Sequence, residues 1–211
     1  MKKSSDEILD QLIELFPDAH CELNHSTPFQ LLIAVILSAQ TTDVSVNKVT
    51  PALFEKYTDA YTLSKAEVED VEKLIRNIGL YRNKAKNIIA CAKQIVDEFE
   101  GEVPNTMKKL TSLAGVGRKT ANVVLSVSFN IPAIAVDTHV DRISKRLGFA
   151  KMNDSVLQVE EKLKRKIKRE RWNHAHHLMI FFGRYFCTAK NPKCNECPFV
   201  EICKEKNKNL K

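Results

Sequence analysis

At 211 residues the chain is long enough to bury a substantial core, as one domain or two small ones. An apolar content of 44% excludes global disorder, and a net charge of +7, from 33 basic and 26 acidic residues, suits a polyanionic partner. Nucleic acid is the first such partner and an anionic membrane the second; the plain alternative is a soluble protein that happens to be basic.

The start, Met1-Lys2-Lys3-Ser4-Ser5-Asp6, leads into an amphipathic segment and not a signal-peptide core. The longest apolar run, Leu31 to Leu37, is far shorter than the roughly 20 residues of a membrane span. These features predict a cytoplasmic protein with no membrane partner. In a reducing compartment six cysteines are not expected to pair, so a cluster of them points to metal.

In chain order, Ile8, Leu9, Leu12, Ile13 and Phe16 form a helical stripe that Pro17 ends. Thr27-Pro28 is a helix start, with Thr as N-cap and Pro at the first position. The following helix, to about Ala39, is apolar nearly all round and is predicted to be central and buried. It runs into the polar cluster Ser38-Ala39-Gln40-Thr41-Thr42-Asp43, which composition alone reads as a capped loop. Helical patterns follow at about 44–57, 65–77 and 83–99. The turn Asn77–Arg82 between the last two carries Leu80 and Tyr81, readable as a core staple or as an apolar wedge for a base stack. Arg82, Lys84 and Lys86 read as a solvated face within reach of phosphates.

Gly101 stops the third helix, Asn105 or Thr106 caps a short one over 107–113, and another runs from about Arg118 to Phe129. Ile131–Val136 has the apolarity of a buried strand, but no partner strand exists, so it reads as an extended crossing. Helices at about 138–147, 154–169 and 173–186 complete an all-α chain. The basic run Lys162–Arg169 keeps Val159, Leu163 and Ile167 on one stripe and reads as a solvated cationic face. His174, His176 and His177, among Trp172, Leu178, Phe181 and Phe182, read as packed helix residues and not as ligands.

The segment Leu113-Ala114-Gly115-Val116-Gly117 has the form L-x-G-V-G between two helices. Its glycines permit backbone conformations closed to other residues and a close ligand approach. The next helix begins at Arg118 with unsatisfied N–H groups and the positive end of its dipole, a ready phosphate site. Lys119 lies in that first turn, eighteen residues before Asp137. Desolvation and the helix end would both lower a lysine pKa toward nucleophilic use. The competing reading is a solvated stripe of Lys119, Asn122 and Ser126 at i, i+3 and i+7.

Cys187, Cys194, Cys197 and Cys203 are spaced C-x6-C-x2-C-x5-C within seventeen residues. Four thiolates this close suit a tetrahedral zinc or an iron–sulfur cubane, and donor softness does not choose between them. Cys21 and Cys91 fall outside the pattern and read as buried small residues.

Together, the hairpin, the Val136-Asp137-Thr138-His139 segment and the cysteine spacing resemble the endonuclease III family of base-excision-repair DNA glycosylases, over roughly Ile8 to Cys203. The resemblance implies that Lys119 attacks the sugar C1′, that Asp137 assists, and that the four cysteines hold a [4Fe–4S] cluster bracing a basic loop against DNA. It implies DNA contacts from Leu113, Gly115, Val116, Gly117, Arg118 and His139. Gln40 fills the space left by a flipped nucleotide, and Leu80 is the wedge. The implied architecture is two helical lobes with a DNA cleft between them: a six-helix barrel over 21–131, and a cluster lobe joining 1–20 to 132–211. Lys119 and Asp137 would then face each other from opposite lobes. The implied activity is removal of oxidised pyrimidines from damaged double-stranded DNA followed by β-elimination, by a monomer acting at the nucleoid. One departure is Ala114, where the family often has Pro; a looser hairpin with function kept is expected. The alternatives are an adenine-type monofunctional glycosylase and a non-catalytic DNA-binding module with a structural metal. Against the former, no acidic residue occurs from Phe29 to Thr42 and the chain ends soon after Cys203.

Overall fold

The computed structural model describes residues 3–210, and every regular element among them is helical. In chain order the α-helices are α1 (Ser5–Leu15), α2 (Pro28–Leu37), α3 (Asp43–Lys56), α4 (Ala60–Leu63), α5 (Val68–Ile75), α6 (Tyr81–Phe99), α7 (Met107–Leu110), α8 (Arg118–Phe129), α9 (Thr138–Arg146), α10 (Val156–Lys166) and α11 (Trp172–Phe181). They fall into two compact units. One spans Glu22–Asn130; the other joins the segment up to Cys21 to the chain from Ile131 onward.

In the continuous unit α2 is the axis. Its start is fixed by the Thr27 side chain, which accepts from the Gln30 amide, and by Pro28 in the first turn. Leu31 to Leu37 are buried without exception, as an all-round apolar helix requires. Helix α2 packs on α8, α3 and α6. The entry to it is pinned by Asn47, whose side chain accepts from the Asn24 amide at 2.9 Å and donates to the Glu22 carbonyl at 2.8 Å. Helix α6 ends at Glu100 and Gly101, both left-handed, with the Gly101 amide on the Ile95 carbonyl. Helix α4 is a single turn that hydrophobic periodicity does not reveal; an Asp59–Thr62 capping box starts it.

In the other unit, α1 lays Ile8, Leu9 and Leu12 into a core with Val140, Ile143, Leu163, Met179, Phe182 and Phe199. Arg171 bridges Asp6 at 2.9 Å and Asp10 at 2.6 Å, so the chain's first helix is tied to the segment before α11. The segment Ile131–Val136 is extended, with Ala133 to Val136 buried and the Ala133 amide donating to Asn173 Oδ1 at 3.0 Å. Helix α11 is shorter than its sequence pattern suggests: beyond Phe181 it widens into a π-helical turn, Phe182–Phe186. The basic run of α10 is less solvated than composition implies. Glu160 is buried and accepts from Lys164, and Lys162 reaches Asp154 at 2.6 Å.

Helix α11 also carries His176, fully buried as its apolar neighbours imply. Its Nδ1 lies 3.2 Å from the Trp172 carbonyl, which assigns the proton there and leaves Nε2 a buried acceptor without a partner. Burial pushes its pKa down to about 4. The unfolded chain takes up a proton at this residue near pH 6.5, the folded chain only near 4, so stability falls as pH drops through that window. We expect the His176→Leu variant to lose about 2 kcal/mol less than the parent between pH 7 and 5, measured by thermal unfolding. Identical pH dependence in the two proteins would contradict this.

Candidate functional site

The hairpin between α7 and α8 shows how its five residues divide the work. Leu113 and Val116 are buried, so their side chains anchor the loop and only their backbone is presented outward. The Val116 amide closes the turn on the Leu113 carbonyl at 3.1 Å. Gly115 has φ +75°, and a Cβ there would press on Asn87 and Ile36 at 3.1 and 3.2 Å, so both conformation and space demand glycine. Gly117 is different: its φ is −90°, open to any residue, and nothing lies within 4 Å of where its Cβ would be. Its value is an unobstructed approach. It is the N-cap of α8 and offers no side-chain cap, so the first-turn amides of α8 remain donors for an anion.

Ala114 is where the loop departs from the expected proline. Its amide donates to Gln94 Oε1 at 2.7 Å, and Gln94 Nε2 donates to the Ser112 carbonyl at 3.3 Å. A proline has no N–H for the first bond. The freedom that Ala114 adds is therefore offset by a two-point clamp from α6, and Gln94 is a residue that sequence reading missed.

Arg118 and Lys119 are exposed at the start of α8. Asn122 and Ser126, by contrast, are buried, so the solvated-stripe reading of this face fails beyond the first turn. The expected desolvation of Lys119 by its own protein surroundings is likewise not found: its side chain stands in solvent. At the far ends of α2 and α6, Gln40 and Leu80 are both exposed and both left-handed, with φ 54° and 59°. Leu80 keeps 56% of its surface exposed, which removes the core-staple reading. Lys84, one turn further on, is not on a solvated face; it is 4% exposed, and burial pushes its pKa down.

In the other unit, Asp137 is the N-cap of α9. Its Oδ1 accepts from the Val140 amide at 2.7 Å, leaving the second carboxylate oxygen available for chemistry. Two residues on, His139 is half-buried, and burial holds its pKa below the usual value, helped by Arg142 and Arg184 and opposed by Asp137. Arg142 donates through one nitrogen to the Gly183 carbonyl at 2.8 Å and lies 3.3 Å from His139 Nδ1. The same nitrogen reaches the Cys187 carbonyl at 3.3 Å, so Arg142 ties α9 to the π turn and to the first cysteine. The close crossing of α9 over the π turn is possible because residue 183 is glycine; a Cβ would lie 3.0 Å from that of His139.

The four cysteines follow the π turn. Cys187 is buried, and Arg146 donates to its sulfur at 3.2 Å and to the Thr188 carbonyl at 3.0 Å. The Cys197 thiol is pushed up to about 11 by burial, and Cys187, Cys203 and Cys194 push in the same direction, which places the four within one electrostatic neighbourhood. No three His, Cys, Asp or Glu side chains among the described residues form a group suited to a single ion. The donor set fits an iron–sulfur cluster: four soft sulfurs, a cationic donor at one of them, and Phe199 fully buried between the third and fourth. Lys190 and Lys193 are exposed on the same loop. Of the remaining cysteines, Cys91 is buried with its thiol pushed up to about 12, whereas Cys21 is only half-buried.

The model of the HhH-GPD superfamily base excision DNA repair proteins matches residues 33–169, and that of the iron-sulfur binding domain of endonuclease III matches residues 187–203. Endonuclease III of Bacillus subtilis is 54% identical over 200 residues, covering 95% of this chain and 91% of that protein. The Escherichia coli K12 enzyme of the same name is 46% identical over 202 residues, covering 96% and 95%. The chain belongs to the endonuclease III family.

A trapped endonuclease III–DNA covalent intermediate superposes with a TM-score of 0.92 at 54% identity, covering 96% of this chain and 97% of that one. A thermostable thymine-DNA glycosylase shares the fold, with a TM-score of 0.86 at 22% identity. Membership in the endonuclease III family, with its iron-sulfur domain matched over residues 187–203, decides between the two metals that the spacing alone left open: the protein carries a [4Fe–4S] cluster. Burial pushes the Cys187 and Cys197 thiols up, and a cluster takes its sulfur ligands as thiolates, so uptake through these residues releases protons. Apoprotein given iron and sulfide should therefore regain visible absorbance faster and more fully at about pH 8.5 than at about pH 6.5. Equal uptake at both would contradict the buried-thiol account.

Proposed function

We propose that the protein is a bifunctional DNA glycosylase of base-excision repair that removes oxidised pyrimidines and then cuts the abasic site on its 3′ side. The observation that carries the reading is Lys119 on the exposed first turn of α8, behind a glycine N-terminus with no side-chain cap. A relative of 54% identity has been trapped covalently on DNA, which is what an amine nucleophile would produce.

In this reading the hairpin amides and Arg118 hold backbone phosphates without reading sequence. The damaged nucleotide turns out of the duplex, which is easiest for a weakly stacked base. Leu80 enters the stack and Gln40 occupies the vacated place. The Lys119 amine bonds to C1′ as the base leaves with its electron pair, and Asp137 supports the positive charge that develops on the sugar. The attached nitrogen loses a proton as the C1′–O4′ bond breaks; O4′ leaves with that electron pair and is protonated, and the ring-opened Schiff base that results makes the C2′ proton acidic. Its removal expels the 3′ phosphate. His139, two residues from Asp137 in the first turn of α9, contacts a phosphate or the sugar in this reading. Exposure of Lys119 in the free protein means that the duplex itself, once bound, supplies the desolvation this amine needs.

When bound, the cluster supplies cross-linking of the 187–203 loop. Lys190 and Lys193 then meet phosphates from a fixed position. Arg146 and the Phe182 carbonyl, which accepts the Cys187 amide at 2.7 Å, hold the first ligand in place. One chain carries every residue invoked, which supports a monomer as the acting species, working at the nucleoid in the cytoplasm. Among the described residues no helix is long and apolar enough to cross a membrane.

The test is a duplex bearing one thymine glycol, with free base and strand ends both quantified. Base release with a 3′ unsaturated aldehyde end is expected. Base release without cutting would favour a monofunctional enzyme, and tight binding with neither product would favour a DNA-binding module.

A further inference from the structure

Gln40 and Leu80 come from different loops, yet both hold left-handed backbone that residues with a Cβ rarely adopt, and both expose their side chains. Strained positions of this kind persist only where the surroundings over-determine them. Lys84 touches both surroundings. Its amide donates to the Leu80 carbonyl at 3.0 Å, closing the first turn of α6 directly behind the wedge. Its Nζ crosses to the other loop and donates to Thr41 Oγ1 at 2.7 Å. The Thr41 hydroxyl lies 3.5 Å from the Ala39 carbonyl, and the Thr41 amide donates to the Ser38 carbonyl at 3.1 Å, so the residues on either side of Gln40 are held by the group Lys84 binds.

A lysine at 4% exposure is unusual, since burying an ammonium is costly unless it is paired or hydrogen-bonded. Its four-carbon stem would be free to extend to solvent from a helix surface; here it runs inward and ends on an uncharged hydroxyl. Neither a phosphate contact nor a solvated helix face calls for such placement. A strut between two loops does.

We propose that Lys84 is a positioning residue for base extrusion: through its side-chain bond to Thr41 and its backbone bond to Leu80, it fixes the Gln40 and Leu80 loops as one preformed element. The proposal rests on the roles given to Gln40 and Leu80 above. A preformed element matters most when an intact base has to be expelled. It matters least at an abasic site, where no base is stacked. Loss of the strut should therefore separate the two reactions of the enzyme.

The experiment compares Lys84→Met, Thr41→Val, their double variant, Thr41→Ser, Gln40→Ala and Leu80→Ala, each as cluster-loaded full-length protein. Single-turnover excision of thymine glycol, single-turnover cutting of a preformed abasic site, melting temperature, and the fluorescence rise of 2-aminopurine opposite the lesion are followed. Misplacement by about 1 Å is enough for a large rate loss, so Lys84→Met and Thr41→Val should each slow excision and the fluorescence rise by about tenfold or more. The double variant should lose no more than the worse single one, because both break one bond. Thr41→Ser, which keeps the hydroxyl, should behave as the parent. Abasic-site cutting should change by less than about threefold.

Unchanged excision in Lys84→Met, with Gln40→Ala and Leu80→Ala impaired, would overturn the role of Lys84 alone. Unchanged excision in Gln40→Ala and Leu80→Ala would remove the insertion reading and the proposal with it. Equal loss of both reactions in Lys84→Met, with or without a fall in melting temperature, would also overturn it, showing a general contribution to fold or DNA contact.

Discussion

Replacing Lys119 by glutamine is expected to abolish strand cleavage at an abasic site, by about 10³-fold or more, because no other group supplies the amine that forms the Schiff base. Glutamine keeps the length and polarity of the side chain and is a good helix former, so α8 and the hairpin amides should be undisturbed. Binding to a duplex with an uncleavable abasic analogue should stay close to that of the parent, since the phosphate contacts assigned to Gly115, Gly117 and Arg118 do not pass through residue 119. Gel-resolved cleavage beside a binding titration at matched salt measures both. Retained cleavage in Lys119→Gln would move the nucleophile elsewhere. Loss of binding equal to the loss of cleavage would make Lys119 a phosphate ligand.

Asp137→Asn is expected to slow base excision by about 10²–10⁴-fold, the usual range for removing a charge or proton carrier aimed at the reacting centre. The choice of asparagine separates two roles that the structure joins in one side chain. One carboxylate oxygen caps α9 through the Val140 amide, and asparagine caps as well as aspartate does. Folding stability should therefore survive in Asp137→Asn. In Asp137→Ala the cap goes too, at a cost of about 1 kcal/mol, visible as a lower melting temperature. Excision by Asp137→Asn at the rate of the parent would reduce Asp137 to a helix cap.

Legibility in the sequence followed the range of the interaction. The Thr27-Pro28 start, the all-round burial of α2 and the α8 boundary at Arg118 are decided by neighbours in the chain, and they were readable. The spacing of Cys187, Cys194, Cys197 and Cys203 was readable as a metal site for the same reason. What depends on a distant partner was not. Lys84 looks like any helix-surface lysine until Thr41, forty-three residues away, is seen to receive it. Asn122 and Ser126 have polar side chains at surface spacing, yet α8 turns that face inward. Gln94 gave no signal, because its use depends on the amide that Ala114 offers and a proline would not. The π turn at Phe182–Phe186 continues a helical pattern in sequence, and only the structure shows that the backbone widens there, where Gly183 lies against His139. Lys119 shows the same limit: its place in the first turn of α8 suggested partial desolvation, but the side chain is exposed, so desolvation has to come from bound DNA.

Borohydride trapping on a duplex with one abasic site reads the Lys119 chemistry itself, because reduction fixes a Schiff base as a permanent protein–DNA bond. A cross-linked band on a denaturing gel is expected, with the DNA mapped by peptide digestion to Lys119. A folded, cluster-loaded protein that binds this duplex yet gives no adduct, or gives one on another residue, would contradict it.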